Sequence, residues 1–288
     1  MMVREQAVLT VILPTYNAGH SLLPAVQSVL AQTFTNFELL VLDDGSTDRS
    51  IASLNSIDDQ RLKIISDGEN RGLAYRLNQG IGLSHGQFIA RMDADDLCFP
   101  TRFERQIDYL NAHPDIDLLA TRAIVFGAEK RIIGLLPFRP DHASICERPW
   151  LTLPMPHPTW MAKRAWYARN LYRLPEYIRA EDQELLLRTM GTSQFACLDE
   201  VLLAYRQGPF NLRKTFRARL SQLSAQFTYF MAIRAFKMMA LSGLAFLAKS
   251  LIDVAAAIPG LETLFFTRMG EQAPLDIVTK TEKIIEEY

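Results

Sequence analysis

Residues 90–100 read ARMDADDLCFP and place three carboxylates, Asp93, Asp95 and Asp96, directly after an apolar run. Like charges this close disfavour one another's ionisation unless a cation sits among them. With no lysine nearby, the chemistry this spacing suits is the holding of a divalent ion. Two more polar clusters follow apolar runs: Pro14-Thr15-Tyr16-Asn17 after residues 7–13, and Asp43-Asp44-Gly45-Ser46 after residues 37–42. In an open α/β sheet, ligands bind beyond the carboxyl ends of the strands. Three such clusters could hold a base and ribose with the first two and a metal-bound diphosphate with the third.

Other uses of these acids fail on spacing. A calcium loop starting at Asp93 would have Glu104 correctly at its twelfth place, but Cys98 stands where the sharp turn needs glycine. A phosphatase of the aspartyl-phosphate type would want Thr or Val where Leu97 stands, and on a first strand. The dinucleotide fingerprint GxGxxG and the P-loop GxxxxGK[ST] are both absent, which removes most support for hydride transfer and ATP hydrolysis.

The elements that must position these residues follow from periodicity. Residues 7–13 form a continuous apolar run, as in a strand buried on both faces. A helix follows, with Leu22, Val26, Val29 and Leu30 at helical spacing. Residues 37–42, 61–65 and 87–92 read as further strands, with a short helix near 48–54 and a longer one over 73–83. Thr101 and Glu104 have the spacing of a capping box opening a helix that ends near His113-Pro114. A strand begins at 117–120, residues 121–178 read as long loops plus an edge hairpin, a helix starts over 181–190, and 201–205 is a last strand. Repeated βα units imply an α/β fold with a mostly parallel sheet between two helical layers.

The chain has 288 residues, 49 % of them hydrophobic and 22 % charged, enough to bury a large core. A net charge of −1 gives no field for nucleic acid. Three dispersed cysteines, Cys98, Cys146 and Cys197, with no CxxC, fit a reducing cytosol and argue against a disulfide framework or zinc site. The N-terminus reads as a first strand, not a signal peptide. No uncharged apolar run reaches the ~18 residues of a spanning helix.

Four motifs in order, VILPTYNAG, ELLVLDDGSTD, the ENRGLAYRLNQGIGLSHGQFIARMDADD block and AEDQELLLR, resemble the family 2 glycosyltransferases with the GT-A fold. The resemblance spans residues 7–206 and is nearest the bacterial enzymes that build surface or exported polysaccharides. It implies inverting transfer of a sugar from a nucleotide diphospho-sugar, UDP- or dTDP-linked, with Mn²⁺ or Mg²⁺. Carried over by position, Pro14, Thr15, Tyr16 and Asn17 line the base pocket, and Asp44 accepts a hydrogen bond from the base. Asp93 lies near ribose and metal, Asp95 is the main metal ligand, Asp96 is the weakest candidate of the three, and Arg71 reaches the diphosphate. The general base is placed in the pair Glu181-Asp182. Adjacent helical side chains diverge by about 100°, so one of them faces the acceptor, and Asp182 is favoured. His157 and Trp160 are candidates on the acceptor side. The polymerase signature QxxRW is missing, and Leu203-Ala204-Tyr205-Arg206 stands after the last strand instead, which argues for adding one sugar.

These motifs divide the chain into a GT-A unit over 1–210, with a nucleotide-sugar half (1–120) and an acceptor half (121–210), and a helical tail over 211–288. The tail holds 10 Lys+Arg against 7 Asp+Glu, whereas residues 1–210 hold 21 against 25. Phe216, Leu220, Leu223, Phe227 and Phe230 form one helical stripe. Residues 238–248 are apolar but too short to span a bilayer, with Lys249 and Asp253 interrupting their continuation. A basic amphipathic helix pair over 211–260 on an anionic membrane face, or packed on the enzyme or a second subunit, is expected. The location is then cytoplasmic, peripheral on the inner membrane face, with a saccharide or lipid-linked acceptor. A sugar-1-phosphate nucleotidyltransferase would want a basic, glycine-rich loop after strand one, and residues 14–23 supply one Gly and neither Lys nor Arg. A catalytically silent sugar-nucleotide-binding subunit is the other alternative, disfavoured by the intact acids.

Overall fold

A computed structural model describes residues 7–174, 179–258, 261 and 271–288. Readings for residues 1–6, 175–178, 259–260 and 262–270 fall outside these. The strands of the first half are β1 (Leu9–Thr15), β2 (Phe37–Asp43), β3 (Leu62–Ser66) and β4 (Phe88–Arg91), paired in parallel in the order β3-β2-β1-β4. Helices α1 (Leu22–Leu30) and α2 (Leu73–Leu83) connect them. Strand β1 is buried on both faces, which is why its residues read as an unbroken apolar run.

The sheet continues through β8 (Met161–Lys163), β6 (Leu118–Phe126), β9 (Phe195–Arg206) and β5 (Leu97–Cys98), while β7 (Ile132–Leu135) hairpins onto β6. In this half β6 and β9 run parallel, but β8, β5 and β7 pair antiparallel with their neighbours. The expectation of a mostly parallel sheet therefore holds for β1–β4, and the second half is mixed. Short strands inserted by loops, not βα crossovers, make the difference. The expected edge hairpin is β6–β7, and the last strand starts six residues earlier than its apolar run indicated.

Two cores sandwich the sheet. One packs Leu9, Val11 and Leu13 against α1 and α3 (Arg102–Ala112). The other packs Ile12, Leu42 and Ile89 against α2, α5 (Arg164–Arg169) and α6 (Glu181–Thr189). Helix α2 sits so close to the sheet that a Cβ on Gly80 would meet Ile12 Cγ2 at 2.7 Å and Leu42 Cδ1 at 2.8 Å. A four-residue helix, α4 (His142–Ile145), lies beside β9.

Three local expectations are corrected. The capping box at Thr101 is not made: Thr101 forms no side-chain cap, and Glu104 Oε2 instead accepts from Thr33 Oγ1 at 2.8 Å, tying α3 to the loop after α1. The helix near 48–54 is a 3₁₀ segment over Ile51–Ser56. Helix α7 (Leu212–Ala232) is followed by α8 (Phe236–Ala256), a continuous 21-residue helix that Lys249 and Asp253 do not break. By length and composition α8 is apolar enough to cross a membrane. Its two inner charges are absorbed by protein: Lys249 Nζ donates to Leu151 O at 3.0 Å, and Asp253 pairs with Arg219 of α7. The last helix, α9 (Leu275–Glu287), buries Ile284 and Ile285 against Leu97, Phe99 and Ile124.

Candidate active site

The first two clusters are stitched into one wall. Asn17, at φ 49°, accepts the main-chain N–H groups of Thr47 (2.8 Å) and Asp48 (3.2 Å) on its Oδ1, and its own N–H donates to Ser46 Oγ at 3.0 Å. Pro14 and Thr15 are buried, with the Thr15 hydroxyl lacking a protein partner, whereas the Tyr16 ring is 52 % exposed and open for stacking. Asp43 is occupied by Ser46 N and Ser66 Oγ.

Asp44 anchors the next loop. Its Oδ1 accepts from Arg71 N at 2.8 Å and Arg76 Nε at 2.9 Å, and its Oδ2 from Gly72 N at 2.9 Å. The fully buried Arg76 also pairs with Asp67 at 2.5 Å. Gly45, at φ 74°, lets this loop close, because a Cβ there would meet Glu69 C at 2.9 Å. Asp44 Oδ2 retains acceptor capacity toward a ligand. The Arg71 side chain is half exposed over the Tyr75 ring, 5.1 Å from its centroid.

At the end of β4 the three acids part company. Asp93 is held bidentately by Arg91, with Nη1···Oδ2 3.0 Å and Nη2···Oδ1 2.5 Å. Asp95 reaches the surface, and the surrounding protein and the charge of Asp93 raise its carboxyl to about 6. Asp96 is turned inward: Oδ1 accepts the main-chain N–H of Arg206 at 2.8 Å, and burial pushes its carboxyl well above the usual range. Arg206 also donates from Nε to Asp95 O at 2.9 Å. The register Leu97↔Ala204 and Cys98↔Leu203 brings this arginine opposite the acid turn.

Among the described residues, no group of three or more His, Cys, Asp or Glu forms a ready-made metal cage. With Asp93 engaged by Arg91 and Asp96 turned inward, Asp95 is the open carboxylate of the three. One or two carboxylates with space beyond them fit an ion of the Mg²⁺ type, which is completed by substrate phosphates and water.

A cleft of about 740 Å³ opens beside Asp93 and is bordered by Arg91, His157, Glu181, Asp182 and Tyr205. Glu181 and Asp182 start α6, so both reach the cleft edge although helical neighbours diverge. Glu181 is the deeper, and burial followed by the charge of Asp182 lifts its carboxyl to about 7. Asp182 is half-buried, and desolvation raises it too. Gln183 locks this turn by accepting from Leu153 N at 2.9 Å and donating to Leu153 O at 3.2 Å.

His157 borders the same cleft, with Nε2 at 2.7 Å from Tyr172 Oη. Burial and the charge of Arg91 hold its pKa well below the usual value, so the ring is neutral. Trp160 does not meet the acceptor-side expectation: it is fully buried, donates to Met155 O at 3.1 Å and packs on His157, leaving no ring face for a sugar. The far wall comes from the tail: Thr215, Ala218, Arg219 and Gln222 of α7 and Lys249 of α8.

The structure thus joins Asp93, Glu181, Asp182 and His157 around one cleft, and sets Tyr16, Asn17 and Asp44 just past the ends of β1 and β2, with Arg71 on the loop that Asp44 anchors. Sequence reading missed Arg91, Arg206 and Gln183. Arg91 was accessible, since residues two apart on an extended chain share a face and Asp93 is its i+2 neighbour. Arg206 required the β5–β9 register.

The family profile described as Glycosyl transferase family 2 matches residues 10–171. An uncharacterised glycosyltransferase of Haemophilus influenzae is 33 % identical over 213 residues, covering 68 % of this chain and 64 % of that protein. The putative glycosyltransferase EpsE of Bacillus subtilis is 33 % identical, covering 62 % of this chain and 65 % of its own length. The chain therefore spans just under two thirds of these relatives. A glucosyltransferase of Escherichia coli named for action on GlcNAc-diphosphoundecaprenol, WfgD, is 35 % identical over a shorter stretch, 37 % of this chain and 42 % of its own.

Among solved structures, residues 1–349 of TarS from S. aureus with UDP superimpose with a TM-score of 0.60 at 18 % identity, covering 97 % of this chain and 90 % of that one. The mannosyltransferase PcManGT of Pyrobaculum calidifontis, in complex with GDP-Man and Mn²⁺, gives 0.59 at 17 % identity, covering 98 % and 86 %. At these identities the likeness is one of fold, and that fold is GT-A. By its family profile and its relatives, the chain belongs to the family 2 glycosyltransferases.

Proposed function

We propose that this chain transfers a single sugar, with inversion, from a nucleotide diphospho-sugar to a hydroxyl of a saccharide or lipid-linked acceptor. The observation that carries this reading is the meeting, around one cleft, of Asp93 at the end of β4 with the Glu181–Asp182 pair. The Tyr16 ring stacks on the base, and Asp44 Oδ2 accepts from it. Arg71 neutralises part of the diphosphate. Asp95, assisted by Asp93, holds Mn²⁺ or Mg²⁺, which when bound supplies Lewis-acid stabilisation of the leaving diphosphate.

Asp182 accepts the proton of the acceptor hydroxyl as that oxygen attacks the anomeric carbon from the face opposite the leaving group. Its raised pKa keeps a stronger base ready near neutral pH. The Gln183–Leu153 lock fixes its approach. Absence of QxxRW supports single addition. UDP and dTDP sugars are the first donors to test, since the acceptor capacity of Asp44 suits the N3–H of uracil or thymine.

Residues 1–210 form the transferase unit in this reading, and 211–260 rest on the inner face of the cell membrane. Support comes from an exposed stripe on α8, Leu244, Leu247, Leu251 and Val254, beside Phe216, Leu220 and Phe227 of α7. Arg213, Lys214, Arg217 and Lys237 provide cations for anionic headgroups. The hairpin's opposite face walls the cleft, so a lipid-linked acceptor would meet the base close to the bilayer.

The test is nucleotide release from UDP-, dTDP- and GDP-sugars with Mn²⁺ or Mg²⁺ and a lipid extract as acceptor source. Release that requires donor, ion and acceptor together supports the reading. Pyrophosphate-dependent formation of a sugar-1-phosphate would indicate a nucleotidyltransferase instead.

A further inference from the structure

We propose that Arg91 is a positioning residue for both acid groups of the cleft: its guanidinium fixes the Asp93 carboxylate and serves the Glu181–Asp182 pair as counter-charge. The proposal deepens the transfer reading and rests on it for its meaning, though not for its measurement.

Arg91 is the last residue of β4 and only 4 % exposed. A buried guanidinium is costly unless paired, and its two Nη atoms meet the two oxygens of Asp93 in a fork. Its backbone cannot drift. The N–H donates to Trp160 O at 2.9 Å, and the carbonyl accepts from Arg102 Nη2 at 2.8 Å. Arg102 is itself fully buried and anchored by Gln106.

Two observations go beyond an ordinary ion pair. Arg91 Nε is buried and has no protein hydrogen-bond partner, which in a buried cation calls for an explanation. The side chain also borders the cleft that Glu181 and Asp182 border. The charged and titratable groups facing the pair are Arg91 and Asp93 from the end of β4, Tyr172 from the loop before α6, and each other. Among the described residues of that set Arg91 is the buried cation, and it favours the ionised forms of both acids. Arg139, Arg148 and Arg179 also line the cleft, but their side chains are exposed and screened by solvent, while Arg219 is paired with Asp253 and Lys249 donates to Leu151 O. One fixed charge therefore orients a donor-side acid and eases ionisation of the acceptor-side base.

The experiment separates charge from shape. Arg91→Lys keeps a cation but cannot fork across two oxygens, and Arg91→Gln removes the charge. Thermal unfolding of the full chain, followed by tryptophan fluorescence, is measured from pH 6 to pH 9, and binding of UDP with Mn²⁺ by calorimetry. Without the cation, holding Glu181 and Asp182 ionised costs the folded state more. Arg91→Gln should thus lose at least about 2 °C more than wild type over this range, the equivalent of about half a pKa unit. Arg91→Lys should keep the wild-type pH slope while UDP binding weakens about three- to tenfold. If Arg91→Gln does not fold, Arg91→Met, which keeps the aliphatic stem and removes the charge, should show the same steeper loss between pH 6 and pH 9. Parallel pH slopes in all folded variants would reduce Arg91 to a structural ion pair and overturn the proposal. None of these readings needs turnover, so failure to release nucleotide from any donor would refute the transfer reading separately.

Discussion

Arg219 of α7 forks onto Asp253 of α8, with Nη2···Oδ1 at 2.8 Å, and so turns the one acid of α8 away from solvent. With Lys249 also directed at the 151–152 loop, the outer face of α8 keeps Leu244 at 65 %, Leu247 at 59 % and Leu251 at 73 % exposure. This contiguous apolar stripe is the face proposed above to meet the membrane. We predict that Leu247→Glu with Leu251→Glu leaves the protein folded and lowers its affinity for vesicles containing anionic lipid by about tenfold or more. Vesicle co-sedimentation measures this, and unchanged sedimentation would assign the stripe to a protein partner.

Asp95 is the open acid of its cluster. Asp95→Asn should abolish metal-dependent nucleotide binding while leaving the thermal midpoint within a few degrees of wild type, since an exposed carboxylate contributes little to stability. Calorimetry with UDP, with and without Mn²⁺, reads this directly. Retained metal dependence would transfer the ligand role to another group.

Asp44 satisfies Arg71, Gly72 and Arg76 at once. Asp44→Ala strips one of two carboxylates from a fully buried guanidinium, for an expected loss of about 3 kcal/mol in denaturant unfolding. Nucleotide affinity should fall with it, because the loop carrying Arg71 loses its anchor.

Glu181 has its carboxyl raised from 4.5 to about 7 by burial and by Asp182. A raised folded-state pKa means stability that is fully present below the unfolded value and lost as pH rises through the folded one. Glu181→Gln should therefore be more stable than wild type at pH 8, by about 1–3 kcal/mol, with the difference fading below about pH 4.5. Urea unfolding at the two pH values checks it. Because Asp182 must be ionised to accept a proton and its carboxyl is raised by burial, activity should rise with pH along an acid limb above the ordinary carboxylate range.

The first half was legible because β1, β2 and β4 are buried on both faces and its polar clusters follow their ends. Tyr16 and Asp44 could be placed by counting from an apolar run. The second half resisted because β8 and β5 are only three and two residues long and gain their place from pairing, not from pattern. Trp160 read as a sugar platform because composition cannot distinguish a stacking indole from a buried one. Helix α8 was misread where Lys249 and Asp253 look like interruptions, since their partners Leu151 and Arg219 are distant in sequence or on another helix.

The most direct test of sugar transfer by this cleft compares wild type and Asp182→Asn in donor binding and in turnover. Removing the base should lower kcat by about 10²-fold or more while donor affinity stays within about twofold. Donor binding lost along with turnover, or turnover retained, would contradict the assignment of Asp182 as the base.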